Sequence, residues 1–184
     1  KLNEDCIVYG SDKDSLAVKL ALLTESIDAE LTDEQLPGCD YIFLAVYPHA
    51  ATAWLEDHAG KLSSHTVVID CCGIKQAICE TGFRLAEQYG FHYLGGHPMA
   101  GTQYSGFKYS REDMFQDACM ILVPPLDPDI ALLDQVHKAL AKAGFTHVTI
   151  TTAKKHDSMI AYTSQLAHVV SNAYVKSPNA QIHH

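Results

Sequence analysis

Short apolar runs alternate with longer stretches in which apolar residues recur every three or four positions. Such runs occupy positions 6–9, 41–46, 66–69 and 91–94, and their length and their β-branched and aromatic residues are typical of buried strands. The stretches between them have the periodicity of helices that bury one face. This alternation predicts parallel strands joined by right-handed helical crossovers, which is an α/β architecture.

The second half of the chain continues the pattern. Positions 118–123 and 145–150 are strand-like, and one apolar helical stripe lies between them. A long helix is predicted over 153–175, with Thr151 or Thr152 as its N-terminal cap. We therefore expect a doubly wound, mainly parallel sheet of the Rossmann-like class, followed by a long helix.

Composition narrows the class of partner. The chain has 184 residues, 47% of them hydrophobic, and a formal charge of −9, so it can bury a core, and its charge disfavours nucleic acid and anionic membranes. It has no apolar run long enough to span a membrane. The six cysteines follow no regular spacing, which predicts reduced thiols in a cytoplasmic protein. Small molecules and other protein chains are the expected partners, although a removed targeting segment stays open because the chain begins at Lys1.

One glycine-rich stretch carries the strongest chemical signal. Gly95-Gly96-His97-Pro98 follows the apolar run at 91–94, which would place His97 at the carboxyl end of a buried strand. Glycine permits close approach of a ligand, and an imidazole at that edge of an α/β sheet is placed for proton transfer to a small substrate. The alternative is an ordinary turn with a solvated histidine.

Three further loops are expected at the same edge of one parallel sheet. They hold Asp12, Tyr47-Pro48 and Cys71-Cys72-Gly73, and each follows a predicted strand. Doubly wound sheets bind dinucleotides at this edge, where an acidic residue about 20 residues beyond a glycine-rich turn binds the adenine ribose. If Asp12 has that role, it favours NAD over NADP and the turn precedes Lys1; the alternative is a plain turn aspartate.

The long helix carries a polar patch. Ser164, Gln165 and His168 are three and four positions apart, which places them on one helix face. Such a patch lines a substrate site or is simply solvated. His156-Asp157, in the first turn, is expected to serve helix capping and charge.

Two motifs connect these observations with a known family. Gly95 to Thr102 followed by Ser105-Gly106, and His156-Asp157 followed by Ser164 to His168, resemble the prephenate and arogenate dehydrogenases of tyrosine biosynthesis. The resemblance covers nearly all of the chain. It implies a dinucleotide-binding domain without its start, and the first long helix of an all-α substrate and dimerisation domain. The implied domains are 1–151 and 152–184.

The resemblance also implies a reaction and a set of site residues. The reaction is the NAD-dependent oxidative decarboxylation of prephenate to 4-hydroxyphenylpyruvate, or that of arogenate, in a homodimer. Inhibition by tyrosine stays open. His97 is the implied catalytic residue, accepting the hydroxyl proton as a neutral imidazole. The implied cofactor-binding residues are Asp12, Tyr47, Pro48, Cys71, Cys72, Gly73 and Pro98. The implied substrate-binding residues are Thr102, Gln103, Ser105, Ser164, Gln165 and His168.

Several positions depart from the family pattern. Gly73 stands where many relatives carry a serine that steadies the histidine, so a water, Cys72 or Ser105 would have to make that hydrogen bond. Gln103 stands where relatives often have a glutamate, which leaves open whether an acid–base gate is present. Gln165 stands where some relatives have a histidine, which leaves the choice of substrate open. The arginine that binds the substrate carboxylate in relatives would lie beyond the end of the chain, so we expect no turnover by this chain alone.

Three other functions stay open. Lys75 follows the strand at 66–69 and would suit a lysine-dependent 3-hydroxyacid dehydrogenase, although a lysine at a helix start usually faces solvent. A non-catalytic module that senses pathway ligands is the second. Zinc at Cys71, Cys72 and His97 is the third, and we expect no metal because adjacent cysteines lack the spacing of ordinary zinc sites.

Overall fold

A computed structural model describes residues 6–102 and 104–181. The strands are β1 Tyr9–Gly10, β2 Ala29–Glu30, β3 Tyr41–Leu44, β4 Val67–Asp70, β5 His92–Pro98, β6 Cys119–Val123 and β7 His147–Ile150. The α-helices are α1 Ser15–Leu23, α2 Pro48–His58, α3 Gln76–Tyr89, α4 Ile130–Lys142, α5 Ala153–Ile160, α6 Leu166–Val175 and α7 Pro178–Gln181. A π-helical turn at Ala161–Gln165 joins α5 to α6, and short 3₁₀ turns lie at Leu36–Gly38, Ala59–Lys61 and Phe107–Tyr109.

The central sheet has five strands in the order β3-β4-β5-β6-β7. Strands β3, β4 and β5 are parallel, β6 is antiparallel to β5, and β7 is parallel to β6. The predicted mainly parallel sheet is therefore confirmed, with one reversal. The described part of the β5–β6 connection contains a 3₁₀ turn and no α-helical crossover, and a parallel neighbour needs such a crossover.

Helices cover both faces of this sheet. Because side chains alternate along a strand, Val68 of β4 packs in one core with Leu55 of α2 and Ile78 of α3. Its neighbour Ile69 packs in a second core with Val136 of α4. The sheet is thus doubly wound, as the apolar periodicity predicts.

The N-terminal strands form a separate element. Strands β1 and β2 pair in parallel with each other, in a two-stranded sheet that is not joined by backbone hydrogen bonds to the five strands in the described residues. The expectation that the Asp12 loop shares one sheet with the other three loops is therefore wrong. Strand β3 lies at the edge of the larger sheet, so Phe43 stays 48% exposed.

The predicted long helix over 153–175 is confirmed as α5, the π turn and α6. Thr152 caps it, since its Oγ1 accepts the N–H of Lys155 at 3.3 Å. Leu166, Val169 and Tyr174 are exposed on this helix. In the part of the chain that the structure describes, no helix is long and apolar enough to cross a membrane.

Candidate active site

His97 lies inside strand β5, which corrects the expectation of a strand that ends at Leu94. Asp70, the last residue of β4, pairs with Gly95, so β5 continues beyond the end of its parallel neighbour. On the other side this extension is held by β6, where Ile121 pairs with His97. The histidine is therefore fixed by the sheet on one flank and faces the loop after β4 on the other.

The two glycines before His97 allow close packing within the sheet. A Cβ on Gly95 would lie 2.4 Å from Cys79 Sγ, and one on Gly96 would lie 2.4 Å from the carbonyl oxygen of Asp70. Real Cβ atoms essentially never come this close to other heavy atoms. A side chain at either position would therefore push β5 away from α3 or from β4.

A buried polar cluster lies beside the histidine. Asp70 and Lys75 are fully buried, and Lys75 Nζ donates to Asp70 Oδ1 and to the carbonyl oxygen of Gly96. Asp70 Oδ2 accepts from the hydroxyl of Tyr93 at 2.6 Å and from the N–H of Gly96 at 3.3 Å. The cluster ties the end of β4 and the start of α3 to the backbone of β5.

This burial excludes Lys75 as an exposed catalytic lysine. Its side chain is 0% exposed and its ammonium group is bound to Asp70 and Gly96. The expectation that Lys75 faces solvent is wrong. The lysine-dependent hydroxyacid dehydrogenase loses its candidate residue for the same reason.

The imidazole of His97 is hydrogen bonded to a second histidine. His97 Nδ1 lies 2.8 Å from His156 Nε2, and His156 Nδ1 lies 2.8 Å from Asp157 Oδ1. Asp157 also accepts the backbone N–H groups of Lys75 at 2.8 Å and of Gln76 at 2.9 Å. The capping expected of Asp157 is therefore exerted on α3, because Thr152 caps Asp157's own helix.

Of the groups predicted to replace a side chain at Gly73, Cys72 instead donates through Sγ to the carbonyl oxygen of Val46 at 3.5 Å. The hydrogen-bond partner that the structure gives His97 is His156, and it binds the ring at Nδ1. A Cβ on Gly73 would lie 3.9 Å from His97 Nε2, an ordinary contact distance. Because glycine has no side chain, Nε2 of His97 borders an open corner at Gly73.

Burial is the largest influence on the protonation of His97. Together with the nearby His156 and Lys75 it lowers the pKa of His97 to about 4. Although burial opposes ionisation of Asp157, hydrogen bonds from His156 and from the N–H groups of Gln76 and Lys75 lower the pKa of that carboxyl. At neutral pH the site therefore holds a neutral imidazole, the form that accepts a proton, and an ionised carboxylate.

The adjacent thiols after β4 are protonated. Burial, reinforced by the charge of Asp70, raises the pKa of Cys71 and of Cys72 to about 12. Thiols in this state are poor nucleophiles and poor metal ligands. Across 6–102 and 104–181, no group of three or more His, Cys, Asp or Glu side chains is arranged to hold a metal ion.

Most residues predicted for the cofactor lie at one edge of the larger sheet. Pro98 ends β5, and Gly73 lies in the loop after β4. Tyr47 and Pro48 begin α2 directly after β3, and α2 has no side-chain cap at its N-terminus. Since β3, β4 and β5 are parallel neighbours, these loops share the carboxyl edge of the sheet.

Asp12 lies apart from this edge group. It follows β1 of the two-stranded sheet, is exposed, and accepts the N–H of Asp14 through Oδ1 at 2.8 Å. The structure therefore does not join Asp12 to the other cofactor residues through one hydrogen-bonded sheet.

The predicted substrate residues after β5 lie in an exposed loop. Thr102 and Ser105 are exposed, and Thr102 Oγ1 donates to the carbonyl oxygen of Tyr104 at 2.8 Å. Gln103, also predicted here, lies outside the described residues.

The predicted substrate residues on the long helix are also exposed. Ser164 and Gln165 belong to the π turn, and His168 belongs to α6. Because hydrogen bonds in a π turn span five residues, the α-helical spacing that predicted one shared face does not apply across this turn. No hydrogen bond joins these residues to His97 in the described part of the chain.

Sequence reasoning missed the polar partners of His97. His156 and Asp157 were expected to act only within their own helix, and Asp70 had no assigned role. The adjacent pair His156-Asp157 was the available signal, but its contact with His97 spans 59 positions and depends on how α5 packs against α3.

Comparisons with known proteins agree with this architecture. A family model described as prephenate dehydrogenase, nucleotide-binding domain, matches residues 1–149. The prephenate dehydrogenase of Bacillus subtilis is 26% identical over 176 residues, which are 95% of this chain and 45% of that protein. A crystal structure of Aquifex aeolicus prephenate dehydrogenase in complex with hydroxyphenyl propionate and NAD+ has 24% identity and a TM-score of 0.79, covering 97% of this chain and 64% of that one. Synechocystis arogenate dehydrogenase has 24% identity and a TM-score of 0.79, covering 96% of this chain and 63% of that one. The chain spans less than half the length of the curated relatives it matches.

Proposed function

The chain belongs to the prephenate dehydrogenase family, and from that premise we propose that it serves the NAD-dependent oxidative decarboxylation of prephenate to 4-hydroxyphenylpyruvate. Arogenate is the alternative substrate, because structural relatives carry either name. The observation that carries the proposal is His97, a neutral, partly buried imidazole whose Nε2 borders the open corner at Gly73. A non-catalytic sensing module would not need a base at this place.

The residues at the carboxyl edge of the sheet fit a dinucleotide. Gly73 leaves space beside His97 Nε2, and the uncapped start of α2 at Pro48 offers free N–H groups at the same edge. Asp12 is exposed and would bind the adenine ribose, where its charge disfavours the 2′-phosphate of NADP. NAD, when bound, supplies the hydride acceptor.

The proposed role of His97 is that of general base. Its Nε2 accepts the proton of the ring hydroxyl as the carbon that bears this hydroxyl loses a hydride, and loss of the ring carboxylate as CO2 leaves an aromatic ring. The low pKa of His97 keeps the imidazole in its accepting form at neutral pH. The protonated, uncharged thiols of Cys71 and Cys72 add no competing charge beside it.

The expected setting is a cytoplasmic homodimer. The six cysteines are unpaired thiols, which supports a reducing compartment. Leu166, Val169 and Tyr174 are exposed on one long helix, which supports association through that segment. Inhibition by tyrosine is tested by adding tyrosine to an assay of NADH formation.

The substitution His97→Asn tests the proposed function. In the protein at its full natural length, we expect kcat for NADH formation with prephenate or arogenate to fall by about two decades, the contribution of a general base. The dissociation constant of NAD is expected to stay unchanged. His137→Asn, at an exposed position of α4, is the matched control and should retain full activity. Near-normal turnover of the His97 variant would refute the assignment. Binding of NAD and substrate by the wild type without NADH formation would support the sensing module instead.

A further inference from the structure

A chain of hydrogen bonds runs from His97 into the start of the long helix. It begins at His97 Nδ1, passes through both ring nitrogens of His156 and ends at Asp157 Oδ1, with both distances at 2.8 Å. His156 is 2% exposed, so water cannot readily replace it as the partner of His97. These hydrogen bonds involve Nδ1 of His97, whereas its Nε2 borders the Gly73 corner.

We propose that His156, held by Asp157, is a positioning residue that keeps His97 in the tautomer whose Nε2 is free to accept the substrate proton. The proposal rests on the proposed function for the identity of the reaction. The tautomer itself is a property of the chain and can be measured without turnover.

The direction of the hydrogen bonds follows from donor and acceptor chemistry. An ionised Asp157 only accepts, so His156 Nδ1 carries a proton and donates it. A neutral His156 then has a lone pair on Nε2, which requires a donor, and His97 Nδ1 must carry the proton of that bond. The lone pair of His97 is consequently on Nε2, which borders the Gly73 corner.

Asp157 is itself held in place by α3. Its Oδ1 accepts the N–H of Lys75, and its Oδ2 accepts the N–H of Gln76 and the side-chain amide of Gln76, the latter at 3.2 Å. Both carboxylate oxygens therefore have donors besides His156, and the carboxylate cannot rotate without breaking these bonds. The positive end of the α3 dipole also favours the ionised form.

Protonation of His156 would reverse the arrangement. With protons on both ring nitrogens, His156 Nε2 becomes a donor, so a neutral His97 must accept through Nδ1 and carry its own proton on Nε2. Such a histidine is neutral but cannot accept the substrate proton. The charged groups that face the histidine pair are Asp157 on α5, Asp70 on β4 and Lys75 before α3.

The tautomer is measured by ¹⁵N NMR of the histidine rings in the chain as it stands. At neutral pH we expect His97 with a protonated Nδ1 and an unprotonated Nε2, its signals assigned by their loss in His97→Asn. In His156→Phe, which removes the acceptor, the ring of His97 should become a mixture of tautomers. In His156→Gln, which keeps an amide oxygen able to accept, the wild-type tautomer should largely return.

Kinetics of the same substitutions, made in the protein at its full natural length, separates positioning from folding. We expect His156→Phe to lower kcat by about 10- to 100-fold, as for other partners that orient a functional histidine. KM and NAD affinity should change little, and His156→Gln should restore most of kcat. The thermal midpoint of each variant shows whether it is folded, and the wild-type spectrum decides the tautomer even where the phenylalanine variant is not.

Two results would overturn the proposal. One is a wild-type His97 that carries its proton on Nε2; the other is a folded His156→Phe variant with unchanged tautomer and kcat. If His97→Asn abolishes turnover and His156→Phe does not alter it, the positioning role fails and the proposed function stands. If the wild type at its full natural length forms no NADH with either substrate, the proposed function fails, and the NMR result still decides the tautomer.

Discussion

The ends of β4 and β5 differ in construction from the helix that carries the predicted substrate residues. Beside His97, the polar side chains of Asp70, Lys75 and His156 are buried and hydrogen bonded, and no buried side-chain polar atom of the described residues lacks a partner. On the helix, Ser164 and His168 are exposed. The difference indicates that this chain itself orders the imidazole of His97, whereas the polar groups on the helix that are predicted to bind the substrate are exposed to solvent. Changes in the first region should therefore affect stability and rate together, and changes in the second should affect function alone.

The largest expected effect on stability comes from breaking the buried ion pair of Lys75 and Asp70. Lys75→Met removes the cation and leaves Asp70 charged and buried, which costs about 3–5 kcal/mol of unfolding free energy. Lys61→Met removes the cation of the exposed pair with Asp33, at 2.6 Å, and should change stability little because solvent screens that pair. Urea unfolding of both variants is the measurement. Equal losses of unfolding free energy in the two variants would show that the buried ion pair contributes no more to stability than the exposed one.

A smaller effect on the free energy of unfolding is expected when the pH is lowered. Burial and its neighbours lower the pKa of His97 to about 4, below the value near 6.5 of an unfolded chain. Between these values the unfolded chain binds more protons, so the free energy of unfolding should fall as pH falls from about 6.5 to about 4. Asp157, whose pKa is lowered from 3.8, loses its contribution only below this window.

Denaturation of the wild type and of His97→Gln at pH 7, 6 and 5 measures this contribution. The variant should lose less stability on acidification than the wild type, and His137→Gln, at an exposed position, should behave like the wild type. Parallel pH profiles for all three would mean that His97 titrates as it does in water.

The smallest effect on stability is expected on the helix. Ser164→Ala and His168→Ala change exposed side chains, so the free energy of unfolding should stay within about 0.5 kcal/mol of the wild type. If these residues bind the substrate, KM for prephenate or arogenate should rise in the protein at its full natural length. Unchanged KM in both variants would assign the polar patch to solvation.

The helices and most strands could be predicted because burial imposes a period on the sequence. Ile78 and Leu85 of α3, and Val136 and Leu140 of α4, are buried as their spacing indicates. The length of β5 could not be predicted in this way, because glycines are poor strand formers. Glycine is needed at position 95 because a Cβ there would lie 2.4 Å from Cys79 Sγ on α3, and only the folded chain shows this proximity.

The placement of His97 near the carboxyl end of a strand was predictable, but the length of that strand and the partners of His97 were not. Lysine is rarely fully buried, so the pattern favoured a solvent-facing Lys75, and only its contact with Asp70 explains the burial. His156 meets His97 because α5 packs against α3. Contacts between distant segments follow from packing and leave no period in the sequence.

Asp157 stands on the helix that follows the last strand of the sheet, yet both of its oxygens are bound to N–H groups at the start of α3, which packs on the sheet. Any hinge rotation near Thr152 that swings α5 outward must break these bonds and withdraw His156 from His97, while the backbone of β5 stays where it is. The proposed base therefore keeps its hydrogen-bond partner only while α5 stays docked on α3, and displacement of α5 would leave the sheet in place but His97 Nδ1 without His156.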